Sequence, residues 1–219
     1  LETHYKDMQD LEFTVEEGKL YMLQCRTGKR SPIAAFKIAV DLVKEKVITK
    51  EQAIQRIKTS DIEGIFFPMI DKSEAKALKE AFLVQGIDAV PGAASGKVAF
   101  SAKTAEDWAA KGEKVILVRK ETSPEDVGGM HAAQGILTAT GGKTSHAAVV
   151  ARGWGKCCIV GCEKLDIDYA KGQFSVGGTV VKEGDFLTLD GSAGNVYVGQ
   201  LKLVKPQPPE AYNTLMSWV

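Results

Sequence analysis

Apolar residues follow one rhythm in the first part of the chain and another in the rest. Past Gly86 they gather into short runs punctuated by glycines, such as Val115-Ile116-Leu117-Val118, Gly135-Ile136-Leu137-Thr138 and Cys158-Ile159-Val160. Short runs bounded by turn residues predict β-strands. Strands are expected at 96–100, 114–118, 135–138, 158–160, 173–176, 179–181, 186–189 and 195–198. Helices are expected at 104–111, 124–133 and 146–152; Ser123-Pro124-Glu125-Asp126 joins an N-cap to a first-position proline and early acids. Many short strands with few helices predict an α+β fold, a sandwich of sheets with helices on one side.

Before Gly86 the pattern differs. Leu11, Phe13 and Val15 alternate with polar residues, Glu17-Gly18 is a turn, and Leu20-Tyr21-Met22-Leu23 follows, which predicts a β-hairpin. A lone hairpin is marginal in water, so this one is expected to be the tail of a larger domain. Ser31-Pro32 opens a helix with Ile33, Phe36, Val40 and Val43 on one face. Thr49-Lys50-Glu51-Gln52 is a capping box before Ala53, Ile54 and Ile57, and Ser73 can cap a third helix through Ala75, Leu78 and Phe82. The expected division is a hairpin unit at 1–27, a helical linker at 28–85, an α+β domain at 86–203 and an exit segment at 204–219. Lys205-Pro206-Gln207-Pro208-Pro209 reads as stiff.

The charge balance removes some functions. The chain of 219 residues carries 28 basic and 28 acidic side chains, a net charge of zero. Nonspecific nucleic-acid or anionic-membrane binding is not expected from it, and no apolar run approaches the ~20 residues of a membrane span. No signal peptide is expected, and Leu1 in place of methionine reads as an excised fragment. Cys157, Cys158 and Cys162 cluster without a second ligand pair, a poor zinc pattern; they read, with Cys25, as free thiols. Free thiols fit the cytosol or a chloroplast stroma.

The chemistry concentrates at Gly141-Gly142-Lys143-Thr144-Ser145-His146. A glycine pair ends the strand at 135–138, Thr144 and Ser145 offer an N-cap, and His146 falls in the first turn of a helix. A helix N-terminus has free N–H groups and partial positive charge, and so favours a phosphate. Imidazole with an ordinary pKa of about 6.5 is largely neutral, hence nucleophilic, at cytosolic pH. His146 is therefore the candidate phosphoryl nucleophile. Gly141, Gly142 and the N–H groups of Ala147 and Ala148 are expected to face the transferred group. Thr144 is expected to bond the imidazole or a phosphoryl oxygen, and Arg152 to pair with a phosphate or a structural carboxylate. Gly142-Lys143-Thr144 is not a P-loop, because the motif needs glycine where Leu137 stands. A noncatalytic interaction module remains the alternative class.

The run from Gly141 through Cys158 resembles the phosphohistidine signature of the pyruvate, phosphate dikinase family, as do Glu121-Thr122-Ser123-Pro124-Glu125-Asp126-Val127 upstream. Lys143 departs from it, where methionine is expected. The resemblance implies a swivelling β/β/α phosphohistidine domain at 86–203, preceded by the helical linker and by the C-terminal edge of an ATP-grasp domain. It implies catalytic roles for His146, Thr144 and Ser145, a magnesium-binding role for Glu12 and a nucleotide-facing role for Gln24 and Arg26. It also implies regulation through phosphorylation of Thr144 by a kinase–phosphatase. The implied reaction converts ATP, phosphate and pyruvate to AMP, pyrophosphate and phosphoenolpyruvate, with Mg2+, in a full-length homodimer whose flanking domains hold the substrates. The segment alone is not expected to complete the cycle. A phosphoenolpyruvate synthase-like carrier is the runner-up.

Overall fold

The computed structural model describes residues 1–71, 73, 75–205 and 208–219, with the side chains of 60, 63 and 75 left aside. The chain divides into two compact units, Leu1–Phe66 with Pro206–Val219, and Phe67–Lys205. In the first unit a short helix α1 (Glu2–Tyr5) precedes the antiparallel pair β1 (Gln9–Glu16) and β2 (Lys19–Thr27). Their turn residues Glu17 and Gly18 both have positive φ, 47° and 75°. That is the turn whose twist matches paired strands. Leu11, Phe13, Val15, Leu20, Tyr21, Met22 and Leu23 are all exposed on this hairpin.

Helices α2 (Pro32–Lys44), α3 (Lys50–Arg56) and α4 (Thr59–Gly64) follow. Ser31 caps α2 and the Thr49–Gln52 capping box opens α3, as the sequence predicts. Phe36, Leu42, Ala53 and Ile65 bury together with Leu215 of the C-terminal helix Glu210–Met216. The exit segment was expected to lead away; its helix instead packs into this core, because Leu215 and Tyr212 are apolar on the side that meets α2. Pro206 and Gln207 of the expected stiff stretch lie outside the described residues.

The second unit begins with β3 (Met69–Ile70), α5 (Ala75–Ala81), β4 (Phe82–Gln85), β5 (Ile87–Val90) and β6 (Ala93–Ala99). Then come α6 (Ala102–Ala110), β7 (Val115–Arg119), a 3-10 turn Pro124–Asp126, α7 (Val127–Ala132), β8 (Gly135–Thr138), α8 (His146–Gly153) and β9 (Cys157–Val160). The strands β10 (Asp166–Asp168), β11 (Gln173–Val176) and β12 (Thr179–Lys182) form their own antiparallel sheet. β13 (Phe186–Asp190), β14 (Asn195–Val198) and β15 (Leu203–Val204) close the unit.

Its main sheet has eight strands in the order β4-β14-β13-β6-β7-β8-β9-β5, with β6 to β9 parallel and the rest antiparallel. Both faces are covered, which is why the central strands read as unbroken apolar runs. Alternate residues point to opposite faces. Val115, Leu117, Ile136 and Cys158 meet α6, α7 and α8 through Ala105, Met130, Ala147, Ala148 and Ala151. Ile116, Val118, Leu137 and Ile159 meet Phe174, Val176 and Val181 of the small sheet. The layers are therefore sheet, sheet and helices. No helix among the described residues is long and apolar enough to cross a membrane.

Residues 67–85 do not behave as the end of a helical linker. β4 pairs with β14 in the main sheet, and Ile70, Leu78 and Ala81 pack with Ala93 and Tyr197. Helical spacing predicts a helix through Phe82, but Phe82 opens a strand, since Phe82-Leu83-Val84 has a ladder partner in β14. α6 starts before the expected residue 104, because Ser101, not Thr104, caps it; the Ser101 hydroxyl accepts the Thr104 N–H at 3.0 Å. The expected helix at 124–133 is a 3-10 turn followed by α7.

Limited proteolysis should cut near Phe66 and near Lys205 and leave a resistant piece bounded by them. A resistant piece that starts at Gly86 would place the boundary where the sequence alone put it. Cys157, Cys158 and Cys162 are buried and unpaired. Burial raises all three thiols, Cys158 and Cys162 to about 12. A maleimide at pH 8 should modify Cys25 alone in the folded chain and the rest only after denaturation. The unfolded thiols release protons near 9 while the folded ones keep theirs, so stability should fall as pH rises through the range from 9 toward 12. Alkaline denaturation curves check the direction.

Candidate active site

β7 and β8 are parallel neighbours, with Arg119 beside Thr138. The loops leaving their carboxyl ends therefore emerge side by side. The first carries Thr122 and the second carries His146. Thr140 ties them: its N–H and its hydroxyl both donate to the Lys120 carbonyl, at 2.9 and 3.0 Å.

His146 is the first residue of α8. Ser145 caps it from an extended conformation, and its hydroxyl accepts the Ala148 N–H at 3.5 Å. The Ala147 N–H meets no protein acceptor among the described residues. Gly141 has φ +101°, and a Cβ there would lie 2.9 Å from the Ser145 Cβ. Only glycine lets the chain turn that closely into the cap. At Gly142 a Cβ would enter open space, so this loop position faces outward.

The imidazole Nδ1 lies 2.8 Å from the Thr122 hydroxyl oxygen. Of the two tautomers, the one with Nδ1–H donating to Thr122 leaves the Nε2 lone pair free for attack. Thr122 itself is buried. The loop beneath it is organised by Asp126, also buried, whose Oδ2 accepts the Ser123 N–H at 3.1 Å and lies 3.3 Å from Arg119 Nε. Glu125 stands on the outer side. Hydrogen bonds from Ser123 and from its own backbone N–H hold its carboxyl below the ordinary value.

Three sequence expectations change. Thr144 is exposed and makes no side-chain hydrogen bond among the described residues, so it does not hold the imidazole; it precedes the cap, while Nδ1 faces the β7 loop. Among the described residues Arg152 meets neither carboxylate nor ring. Its Nη2 donates to the carbonyls of Lys143 at 3.0 Å and Ala89 at 3.3 Å, bracing the loop ahead of α8 against β5. The Ala148 N–H is taken by Ser145 and is not left for an incoming group. Lys143 pairs with Asp88 at 3.0 Å, both half exposed. Such a pair is worth ~0–1 kcal/mol.

Glu12, Gln24 and Arg26 lie on the hairpin of the other unit. Glu12 stands opposite Gln24 in the ladder, and Arg26 bridges Asp10 at 2.9 Å and Glu12 at 3.2 Å. These residues come together on one hairpin. Magnesium wants about six oxygen ligands in an octahedron. No cluster of three or more His, Cys, Asp or Glu gathers among the described residues, and Glu12 is already paired with Arg26. The hairpin alone does not fit the ion.

Sequence reasoning missed Thr122, Arg119 and Asp126. The helix start at Ser123 was legible, but nothing local says that its preceding threonine meets a histidine from the next strand. That needs the order of the sheet.

Residues 111–194 match the family model described as PEP-utilising enzyme, mobile domain, and residues 1–47 the one described as pyruvate phosphate dikinase, AMP/ATP-binding domain. Pyruvate, phosphate dikinase 2 of Zea mays is 51% identical over 219 residues, 100% of this chain and 25% of its own. The chloroplastic pyruvate, phosphate dikinases of Flaveria pringlei and Arabidopsis thaliana are 52% and 49% identical over 100% of this chain and 23% and 22% of theirs. The chain thus spans about a quarter of the length of the relatives it matches. A structure described as the NMR solution structure of Enzyme I (nEIt) protein aligns with 48% of this chain and 36% of its own, at 26% identity and a TM-score of 0.29, too low to carry the fold across.

The Thr122 contact makes a direct prediction. Nitrogen-15 spectra of the histidine rings should show His146 mostly as the Nδ1–H tautomer. Thr122→Val should redistribute that tautomer, and Thr144→Val should leave it in place. Equal effects of the two variants would refute the assignment.

Proposed function

For a chain that belongs by sequence to the pyruvate, phosphate dikinase family, we propose that its His146 carries a phosphoryl group between two remote sites. The observation that carries this reading is the ring itself: Nδ1 lies against Thr122, and Nε2, at a helix N-terminus, has no hydrogen-bond partner among the described residues. In the transfer, the Nε2 lone pair attacks phosphorus in line. The bond from phosphorus to the donor oxygen breaks, and that oxygen leaves with its electron pair. Nδ1 keeps its proton and shares it with Thr122, which stabilises the imidazolium that forms. The His146 and Ala147 N–H groups and the helix dipole favour the charge on the phosphoryl oxygens.

The whole-enzyme reaction proposed is that of the relatives' name: ATP, phosphate and pyruvate to AMP, pyrophosphate and phosphoenolpyruvate. Phosphoenolpyruvate regenerates phosphohistidine by the reverse transfer, pyruvate leaving as its enolate. The nucleotide site is proposed on the side of residues 1–47, with Gln24 and Arg26 facing it, and the pyruvate site on a domain beyond the exit segment. Mg2+ would accompany ATP there, with Glu12 as one of its ligands only when other domains complete the set; it would neutralise phosphate charge. The unit Phe67–Lys205 is proposed as the swivelling body, entered and left at adjacent points, since β3 pairs with β15. Homodimerisation and a cytosolic or chloroplast location belong to the same reading. Thr144, exposed and two residues before His146, is open to a regulatory kinase. A phosphate there adds about −1.5 to −2 charge and would repel the incoming group.

Radiolabelled phosphoenolpyruvate should label the full-length protein with an acid-labile, base-stable product, and His146→Asn should abolish it. Acid-labile label that persists in His146→Asn would reject the carrier role. Thr122→Val should slow labelling by roughly 10–100-fold, about 1.4–2.7 kcal/mol in the barrier.

A further inference from the structure

The loop that brings Thr122 to the imidazole is fastened at points that do not touch His146. Asp126 Oδ2 meets Arg119 Nε at 3.3 Å, the Ser123 N–H at 3.1 Å and the Ser123 hydroxyl at 3.4 Å. Arg119 and Ser123 flank Thr122 in the chain, so one carboxylate closes the loop on both sides of it. Arg119 Nη1 donates to the Phe100 carbonyl at 2.9 Å, at the end of β6. Its guanidinium lies over the Tyr169 ring, 5.2 Å from the centroid. The Tyr169 hydroxyl accepts the Lys120 N–H at 2.7 Å, a third fixed point on the same loop. Tyr169 comes from the turn after β10, and its ring meets Phe100 edge-on, which in turn meets Phe174 in the core.

Asp126 is 4% exposed and the Arg119 side chain 27%. A buried ion pair is weak evidence of stabilisation, because desolvation cancels much of its attraction. Its distinctive property is geometric. A carboxylate with three bonds and a planar guanidinium held by stacking have few alternative arrangements.

We propose that Asp126 and Arg119, latched by Tyr169, are positioning residues that hold the Thr122 hydroxyl on Nδ1 of His146 and so keep Nε2 unprotonated. The proposal rests on the reading of His146 as the nucleophile, but its effect on the ring is measurable without any phosphodonor. Tyr169→Phe removes only the bond to the Lys120 N–H. Asp126→Asn keeps an acceptor for Ser123 but loses the charge that orients Arg119. Arg119→Lys keeps the charge but loses the fork and the stacking.

Nitrogen-15 histidine spectra of the full chain, with His146 assigned through His146→Asn, read the tautomer and its pH titration. Asp126→Asn should move His146 from mostly Nδ1–H toward a mixture, with Arg119→Lys and Tyr169→Phe shifting it in the same direction. The His131 signal should stay. In the full-length protein the maximal labelling rate should fall about tenfold for Asp126→Asn with the KM for phosphoenolpyruvate unchanged. A folded Asp126→Asn chain whose His146 ring signals match the unsubstituted chain overturns the proposal. If circular dichroism shows that Asp126→Asn does not fold, Arg119→Lys and Tyr169→Phe decide it, and unchanged ring signals in both overturn it. Failure of His146 to accept label would remove the carrier reading while the ring spectra still decide the positioning.

Discussion

The parallel pairing of β7 with β8 sets the geometry at the His146 end of the main sheet. Each strand is buried on both faces, β7 through Val115, Ile116, Leu117 and Val118, β8 through Ile136 and Leu137. A register slip by one residue would exchange the residues facing the helices with those facing the small sheet. Here the two apolar sets differ in size of partner: alanines on the helix side, Phe174 and its neighbours on the other. The register is therefore fixed by packing. Once Arg119 sits beside Thr138, the loops that follow must share a carbonyl at Lys120, and Thr122 must arrive near the start of α8.

Helix α8 adds the second constraint. Ala147, Ala148 and Ala151 are buried against the sheet, and small side chains let the helix axis lie close. A close helix needs an abrupt entry, which Gly141 provides through its positive φ and Ser145 through its cap. Arg152 locks the same entry from the outside by holding the Lys143 carbonyl. Arg152 thus serves as a brace, and the loop stays open at Gly142 and Thr144.

The sequence made the strands of the second unit legible because apolar runs bounded by glycine have few other readings. The cap at Ser145 and the place of His146 in the first turn of α8 were legible for the same reason, each being a local pattern. What could not be read was every feature that depends on strand order. β4 is a short edge strand whose assignment depends on β14, so 67–85 reads locally as linker, and β5 depends in the same way on β9. The bond between Thr122 and His146 joins residues 24 apart that only the sheet brings together. Thr144 is near His146 in sequence and so carries a local signal; Thr122 is not, and Tyr169, farther off still, carries none.

Charge decides what this unit can do by itself. A phosphoryl group arrives with close to two negative charges, and the acceptor must offset them as they develop in the transition state. Within its own unit His146 meets the neutral Thr122 hydroxyl and the N–H groups of the α8 end. A helix end is worth about 0.3–1 kcal/mol to an exposed anion, whereas enzymatic acceleration needs at least about 8 kcal/mol. The nearest cations in sequence are committed, Lys143 to Asp88 and Arg152 to backbone carbonyls. On the carrier reading, the missing stabilisation must come from whichever site the histidine visits. A nucleophile that is well oriented but poorly compensated reacts slowly with water-borne donors and rapidly only where cations are supplied. That imbalance would let one histidine serve two reactions without wasting the phosphoryl group in transit.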